Sequence, residues 1–456
     1  MNLPAETDLA VVGGGPGGYV AAVRAAENGA DVTLIERDAP GGVCLNHGCI
    51  PSKALLSATG LAHRAGNAER MGVYADPRIA AEETRRWTDR VVRRLTRGVE
   101  LLCERAGVTV VDGTATFESA DALRVSDQTL SFERAVVATG SRPIELPSMP
   151  FDAPGVLDSR AALALDPVPD SLVVVGGGYV GMELATVFAR LGTDVVVAEM
   201  LDEVLPGFPA DLAEPVRKRA ADAGVAFHLN HRAVGHRETD DGVAVTLDGP
   251  DGERTVTGDV ALVAVGREPV TDTVNPAAAG LPVEDGAFPT DDRQETPVDG
   301  IYAVGDAAGD PMLAHAAMHE GRIAAADATG AEAVPPARAV PAVAFTDPEV
   351  ATVGTTSEAA PDDALVGEYP FRASGRALTA NEREGFVRVV ADAAGTVIGG
   401  EVVGPEASEV VAELGLAVAT GATLDDVAAT VHAHPTLAEA TLEAATDALG
   451  RGVHGG

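Results

Sequence analysis

The chain has 456 residues, of which 46% are apolar, with 51 glycines and 29 prolines spread along it. This length exceeds one hydrophobic core of ordinary size, so the composition predicts a globular protein of several domains. The 69 acidic residues against 33 basic ones leave a formal net charge of -36, which repels nucleic acid.

The basic residues are almost all arginine, because lysine occurs only at Lys53 and Lys218. An acidic surface repels itself in dilute buffer but stays soluble in concentrated salt, where the Debye length shrinks to about 3 Å. The composition therefore predicts a cytoplasmic protein of a halophile, with an ordinary acidic protein as the alternative. The longest stretch without a charged residue, 9–23, is too short and glycine-rich for a membrane span, and no basic region of a signal peptide precedes it.

An internal repeat is the most informative feature of the chain. The repeated unit is an apolar stretch, the glycine spacing GxGxxG, a helical stretch, and a second apolar stretch that ends in an acid 23 positions after the first glycine. The first copy contains Gly13, Gly15, Gly18 and Glu36, and the second contains Gly176, Gly178, Gly181 and Glu199. A single GxGxxG can be an ordinary glycine turn. Two copies in register with strand, helix and acid indicate two dinucleotide-binding units.

Each part of the unit has a physical role in binding a dinucleotide. The apolar stretch forms a buried parallel strand, and the glycines allow a tight turn and a close approach of the backbone to a pyrophosphate. The following helix directs its N-terminal amides at the phosphates, and the final acid accepts hydrogen bonds from a ribose diol. The fold class predicted is α/β, with two Rossmann-like domains.

The two acids also bear on the choice of cofactor. A carboxylate repels the 2′-phosphate of NADP, and the residues after Glu199 include no arginine to hold one. The second unit is therefore predicted to prefer NAD. The alternative is that a distant arginine, such as Arg267, folds back toward the site.

Two cysteines, Cys44 and Cys49, lie directly after the first unit in the string GGVCLNHGCIPSK. A structural disulfide across so short a loop stabilises by only about 2 kcal/mol, and no second Cys or His pair completes a zinc site. The favoured interpretation is a dithiol that alternates with a disulfide, with a helix starting near Ile50 that favours a thiolate. The third cysteine, Cys103, is predicted to be a small buried hydrophobe.

This string resembles the active-site signature of the class I flavin disulfide reductases, a family that includes dihydrolipoyl dehydrogenase, glutathione reductase and mercuric reductase. The resemblance implies that Cys44 is the interchange thiol that attacks a substrate disulfide, and that Cys49 is the charge-transfer thiol against the flavin. It also implies that Lys53 lies near the flavin, paired with Glu183. His47 departs from the valine or arginine often found at its position.

Three later segments resemble cofactor-binding parts of the same family. The segment 138–140, with Gly140, resembles the exit from the flavin domain, and 263–269 resembles the return. The return segment implies backbone contacts from Ala264 and Gly266 to the nicotinamide nucleotide, with Arg267 beside them. Asp306 matches the carboxylate on the flavin ribityl chain, although an aspartate at this position could also cap a helix.

Two further strings are similar to those of the dihydrolipoyl dehydrogenase branch. The first, LAHAAMHEG at 313–321, places Ala314 near the flavin, and the second is HAHPTLAE at 432–439. The second string implies that His434 is the acid/base and that Glu439 orients its ring. Imidazole has the pKa that moving a thiol proton near neutral pH requires, although an exposed loop histidine is the alternative for His434 taken alone.

The resemblance implies a domain order and a reaction. The expected domains are an FAD-binding domain at 1–145, an NAD-binding domain at 146–266, a central segment at 267–336 and an α+β dimerisation domain at 337–456. The expected reaction passes electrons from protein-bound dihydrolipoamide through the Cys44–Cys49 disulfide and FAD to NAD, in a homodimer that serves a lipoyl-bearing carrier or a 2-oxoacid dehydrogenase complex. The alternative is a related reductase of another small disulfide. No metal site is predicted.

The charge generates a testable prediction. Folding and activity should require high salt, because repulsion among the acidic groups is unscreened in dilute buffer. Activity and far-ultraviolet circular dichroism, measured from 0.1 to 4 M salt, should both rise with salt. Full stability at 0.1 M salt would contradict the halophilic interpretation while leaving the enzyme assignment intact.

Overall fold

The structure is a computed structural model that describes residues 3–454; residues 1–2 and 455–456, at the ends of the first and last predicted domains, lie outside the described part. The strands, in chain order, are β1 (Glu6–Val12), β2 (Val32–Glu36), β3 (Thr109–Asp112), β4 (Ala115–Ser119), β5 (Ala122–Val125), β6 (Gln128–Val137), β7 (Ser141–Pro143), β8 (Val156–Leu157), β9 (Ser171–Val175), β10 (Asp194–Ala198), β11 (Ala226–His228), β12 (Arg232–Thr239), β13 (Gly242–Gly249), β14 (Gly252–Gly258), β15 (Val260–Val263), β16 (Arg267–Pro269), β17 (Ile301–Ala303), β18 (Ala342–Ala344), β19 (Glu349–Gly354), β20 (Leu365–Pro370), β21 (Phe386–Ala391) and β22 (Val397–Gly404).

The helices are α1 (Pro16–Glu27), α2 (Gly42–His47), α3 (Cys49–Gly66), α4 (Ala81–Ala106), α5 (Ser159–Leu163), α6 (Tyr179–Arg190), α7 (Ala210–Asp222), α8 (Ala314–Thr329), α9 (Gly375–Thr379), α10 (Ala407–Thr420), α11 (Leu424–Ala429) and α12 (Glu439–Ala448). Among the described residues, none of these helices is both long enough and apolar enough to cross a bilayer.

The first of two compact units consists of residues 1–54, 85–144 and 266–337. Its sheet has the strand order β3-β2-β1-β6-β5-β4, with β17 also paired to β6. The strands β1, β2, β3, β6 and β17 run parallel, as expected of strands joined by helical crossovers. Helix α8 packs closely on α1, because Gly321 leaves no Cβ to collide with the backbone oxygen of Gly17.

The second unit consists of residues 55–84, 145–265 and 338–456. It contains a parallel sheet of order β11-β10-β9-β15-β8, an antiparallel sheet β12-β13-β14, and an antiparallel sheet of order β18-β19-β22-β21-β20. The apolar strands β9 and β15 pack on helices with one face and on the sheet β12-β13-β14 with the other. The core cluster on the helix side also includes Ala344, Val350 and Val403 of the last sheet. A second core cluster lies between that last sheet and helices α10 and α12.

A buried ion pair joins three strands of the last sheet to helix α7. The Glu401 side chain on β22 is fully buried and accepts a hydrogen bond from Arg388 on β21 at 2.7 Å. Arg388 also pairs with Asp211 of α7 and Glu368 of β20, at 2.6 and 2.8 Å. Ser357 donates both its backbone N–H and its hydroxyl to Glu401. A buried carboxylate is tolerated only with such partners, because desolvation penalises its charge.

Replacing Arg388 with methionine should therefore leave Glu401 as an uncompensated buried charge. We expect R388M to lose about 3 kcal/mol or more, which lowers Tm by roughly 6 °C or more. The matched control R24M breaks an exposed pair with Glu27 and should change stability by less than about 1 kcal/mol. The double variant R388M/E401Q should recover part of the loss in a thermal melt, and equal melting of R388M and the wild type would contradict the assignment.

Candidate active site

The two motif cysteines form a hydrogen-bonded dithiol in the first unit. Cys44 lies in α2, and Cys49 is the first residue of α3, after Gly48. The hydrogen bond to Cys49, together with burial and the negative charge of Cys49, raises the pKa of the Cys44 thiol, and the Lys53 ammonium opposes this shift. The raised pKa favours the protonated form of Cys44, so its thiol can donate a hydrogen bond to the Cys49 sulfur.

Polar side chains anchor the short helix α2 on both flanks. The Asn46 amide donates to the backbone oxygens of Ala39, Pro40 and Gly42, at 3.3, 3.2 and 3.0 Å. Asn46 also accepts from the Thr96 hydroxyl of α4 at 2.7 Å. These contacts fix the position of α2 and hence of Cys44.

His47 has a clear structural partner, which its unusual identity in the motif did not reveal. Its Nε2 lies 2.8 Å from an Asp38 carboxylate oxygen. The Asp38 backbone N–H in turn donates to Glu36 Oε1 at 2.8 Å. His47 thus joins the end of α2 to the loop that follows β2.

The acids of the two repeated units make equivalent hydrogen bonds. Glu36 accepts from the N–H groups of Gly14 and Asp38, at 2.6 and 2.8 Å. Glu199 accepts from Gly177 and Leu201, at 2.6 and 2.9 Å. Each carboxylate thus closes its glycine loop, and each oxygen still has a lone pair that can accept from a ribose hydroxyl.

The glycines of the two units also have matching surroundings. Gly13 and Gly176 have φ of +101° and +105°, and a Cβ at either would collide with the carbonyl oxygen of Ala138 or Ala264. A Cβ at Gly18 or Gly181 would collide with the oxygen of the first glycine in its own loop. By contrast, a Cβ at Gly15 or Gly178 would meet nothing within 4 Å, and these residues are the N-caps of α1 and α6. Open space at two helix N-termini fits the pyrophosphates of two dinucleotides.

Asp306 belongs to a polar network in the first unit. The Ser141 hydroxyl donates to Asp306. Arg267 holds Ser141 from the other side, because its Nε donates to the Ser141 hydroxyl and its Nη2 to the Ser141 backbone oxygen, each at 2.8 Å. Arg267 is therefore connected to Asp306 through Ser141. Sequence reasoning overlooked Ser141, whose only signal is its place directly after the strand-end glycine Gly140.

Residues 313–321 include the start of helix α8 and a contact to the segment that carries Asp306. Ala314 is the first residue of α8. Glu320 of the same string accepts a hydrogen bond from the Gly305 N–H at 2.6 Å. Burial raises the pKa of Glu320, and the Gly305 N–H partly offsets this. Glu320 thus fixes the backbone of the residue directly before Asp306.

Other predicted residues lie beside strand ends or, in the case of Glu183, within helix α6. The Gly140 backbone oxygen accepts from Val270 at 2.8 Å, and the Gly266 oxygen accepts from Ile144 at 3.0 Å, both in the first unit. In the second unit Ala264 donates to Val175 at 2.8 Å, and the buried Glu183 accepts from the Phe345 N–H at 3.1 Å.

His434 and Glu439 form a hydrogen-bonded pair in the second unit. Nδ1 of His434 lies 2.8 Å from Glu439 Oε1, and Oε2 of Glu439 accepts from the Thr436 N–H at 2.8 Å. Although burial opposes ionisation, these two hydrogen bonds hold the pKa of Glu439 below its usual range. The arrangement leaves Nε2 of His434, whose side chain is 80% exposed, available for proton transfer.

A second histidine–carboxylate pair lies beside it and was not anticipated from the sequence. Nε2 of His432 lies 2.9 and 3.0 Å from the two Glu413 oxygens, and its side chain is almost fully buried. The first histidine of the HxH spacing is the only sequence signal for this pair.

The closed Glu199 loop generates a prediction about cofactor choice. The wild type should use NAD at least about tenfold better than NADP in kcat/KM, because a 2′-phosphate would meet the carboxylate. E199A should lower that ratio, whereas D202A, which removes an exposed nearby acid, should leave it unchanged. Equal efficiency of the wild type with both cofactors would refute this role.

Comparison with known proteins places these features in a family. The family model described as pyridine nucleotide-disulphide oxidoreductase matches residues 7–321, and the model of its dimerisation domain matches residues 340–445. The dihydrolipoyl dehydrogenase of Halobacterium salinarum is 55% identical over 99% of this chain and 98% of its own length. The enzyme of the same name from Haloferax volcanii is 54% identical over the same shares.

Solved structures agree with this relationship. LpdA from Mycobacterium tuberculosis superimposes with a TM-score of 0.88 at 32% identity, covering 96% of this chain and 99% of that one. The HOCl-induced flavoprotein disulfide reductase RclA from Escherichia coli gives 0.86 at 25% identity, with coverage of 96% and 99%. The predicted fold class and resemblance are confirmed, and the halophilic relatives agree with the composition. The chain belongs to the pyridine nucleotide-disulphide oxidoreductase family, whose enzymes use FAD and NAD.

Proposed function

We propose that this enzyme oxidises protein-bound dihydrolipoamide to lipoamide through Cys44 and Cys49, with reduction of NAD. The observation that carries the proposal is the pair of free thiols Cys44 and Cys49, in which the hydrogen bond to Cys49 and burial raise the pKa of the Cys44 thiol. The halophilic relatives that bear the name dihydrolipoyl dehydrogenase support it over nearly the full chain. The acidic composition supports a cytoplasmic location.

The residues of the two glycine loops fit two dinucleotides. FAD is assigned to a first set, Gly13, Gly15, Gly18, Glu36, Lys53, Gly140, Asp306 and Ala314, and NAD to a second set, Gly176, Gly178, Gly181, Glu183, Glu199, Ala264 and Gly266. Arg267 acts through Ser141 on the position of Asp306. When bound, the flavin carries the electron pair between the dithiol and the nicotinamide.

The protein residues carry out the thiol chemistry in the following order. His434 accepts a proton at Nε2 from one substrate thiol, while Glu439 holds Nδ1–H. The resulting thiolate attacks the sulfur of Cys44 in the disulfide, and Cys49 leaves as a thiolate. The second substrate sulfur then displaces Cys44 and closes the lipoyl disulfide. Cys44 takes the proton of that second thiol as it leaves, which its raised pKa favours, so the pair ends reduced, as in the structure.

A direct assay tests this function. The enzyme in high salt should reduce NAD with dihydrolipoamide, and in the reverse direction NADH should reduce lipoamide far faster than glutathione disulfide or a CoA disulfide. C49S and H434Q should each lose at least about a hundredfold in kcat, the usual size of a lost acid/base group. A preference for another disulfide would favour the related reductase activity.

We further infer that each active site is shared between subunits of a homodimer. The cysteines belong to the first unit and His434 to the second, within the range that matches the dimerisation domain. A symmetric dimer that joins these elements would build two equal sites.

Mixing two inactive variants tests the shared site. C49S and H434Q dimers, dissociated and reassociated together, should give about half heterodimers, each with one intact site and one doubly defective site. About a quarter of the wild-type activity should therefore return in the mixture. C49S mixed with C49S is the control and should stay inactive. If heterodimers form without activity, each site is built within one chain.

A further inference from the structure

Helix α4 carries a concentration of positive charge that contrasts with the rest of the chain. Residues 85–97 include six arginines and one acid, Asp89, although the whole chain has only 33 basic residues and a net charge of -36. Four of these arginines, Arg86, Arg90, Arg93 and Arg97, are spaced by four, three and four positions, so they lie on one face of the helix. We call these four residues the arginine stripe.

The arginine stripe is exposed. All four residues are accessible to solvent, and Arg97 keeps 62% of its side chain exposed while paired with Glu100. The opposite face of α4 holds the buried Thr88, Val99 and Cys103, so core packing does not account for the arginines. A solvated helix face in an acidic, salt-adapted protein would be expected to carry carboxylates, and the stripe has the opposite charge.

The stripe lies on the helix that contacts α2. Thr96 of α4 donates to Asn46 of α2 at 2.7 Å, two residues from Cys44, and Thr96 is the sequence neighbour of Arg97. One exposed apolar side chain, Trp87, flanks the stripe next to Arg86, with 39% exposure. Tryptophan and arginine are the side chains enriched at the energetic centres of protein interfaces.

We propose that the arginine stripe docks the acidic surface of the carrier protein that presents the dihydrolipoyl group, an inference that rests on the proposed function. Charge complementarity carries the choice of partner. A carrier that works in the same concentrated salt needs an acidic surface to stay soluble, as this enzyme does. The carboxylates of such a carrier would be attracted by the arginines of α4 and repelled by the acidic remainder of the enzyme surface. Nucleic acid, the other polyanion, is disfavoured by the net charge of -36.

Concentrated salt limits how this docking works. Steering over long distances is screened, because the Debye length falls to about 3 Å at 1 M salt. The guanidinium groups therefore act in direct contact, where their paired N–H groups match carboxylate geometry and are weakly hydrated. Contacts to Trp87 would add apolar area, which salting-out conditions favour.

The test compares a carrier-bound substrate with the free one. The probe is a dihydrolipoylated acidic carrier domain, used beside free dihydrolipoamide and beside the same domain with surface Asp and Glu replaced by Asn and Gln. R90E/R93E should lower kcat/KM for the acidic domain by about tenfold and change kcat/KM for free dihydrolipoamide by less than about twofold. The neutralised domain should be a poor substrate for the wild type and should discriminate little between the enzymes.

The matched control is K218E/R237E, which makes the same change in net charge at two exposed cations outside α4. It should retain wild-type kinetics with both substrates. If R90E/R93E fails to fold, R90Q/R93Q gives the same comparison without new negative charge, with flavin content and melting temperature measured for each variant.

The outcomes separate this inference from the proposed function. Unchanged kinetics of R90E/R93E with the acidic domain, or an equal loss with free dihydrolipoamide, would overturn the docking role while leaving the activity intact. RNA binding that R90E/R93E abolishes, without any change in carrier kinetics, would assign the stripe to nucleic acid instead. Failure of the wild type to oxidise free dihydrolipoamide would refute the proposed function itself.

Discussion

The structure depends on one interaction that occurs twice, the hydrogen bonds from a glycine loop to the acid at the end of the next parallel strand. Glu36 holds the N–H of Gly14, and Glu199 holds that of Gly177, both at 2.6 Å. Each carboxylate accepts two backbone N–H bonds, so its position beside the loop is set before any ribose arrives. This bond fixes the relative positions of the strand, the glycines and the helix N-terminus, which together bind a dinucleotide.

The helix that carries Cys44 is held in place by contacts that begin at that first loop. Asp38, held by Glu36, contacts His47 at the end of α2, and Asn46 fastens the same helix to α4. These hydrogen bonds hold α2, and therefore Cys44, in a fixed position. Within this frame the hydrogen bond to Cys49 and burial raise the pKa of the Cys44 thiol. The roles proposed for the two sulfurs, with Cys44 attacked by substrate and Cys49 leaving, agree with that raised pKa.

Positive charge is unevenly distributed along this acidic chain. Acidic residues outnumber basic ones by 69 to 33, and some of the arginines are concentrated around buried carboxylates or on one helix face. Arg388 neutralises the buried Glu401, and Arg219 joins Asp347, Glu382 and Glu384 in the same unit. The stripe on α4 is the exposed counterpart. With 33 basic residues in total, each such concentration leaves less positive charge for the rest of the surface.

The sequence by itself determined the repeat, the fold class and the dithiol, because spacing along the chain fixes strand, turn and helix locally. It also indicated the His434–Glu439 pair, whose members lie five residues apart. It could not show that Ser141 meets Asp306, 165 positions away, that His432 finds Glu413, or that His47 finds Asp38. Those contacts were decided by the tertiary structure, because which polar side chains meet depends on how strands and helices pack, and short polar residues carry no pattern that reveals distant partners.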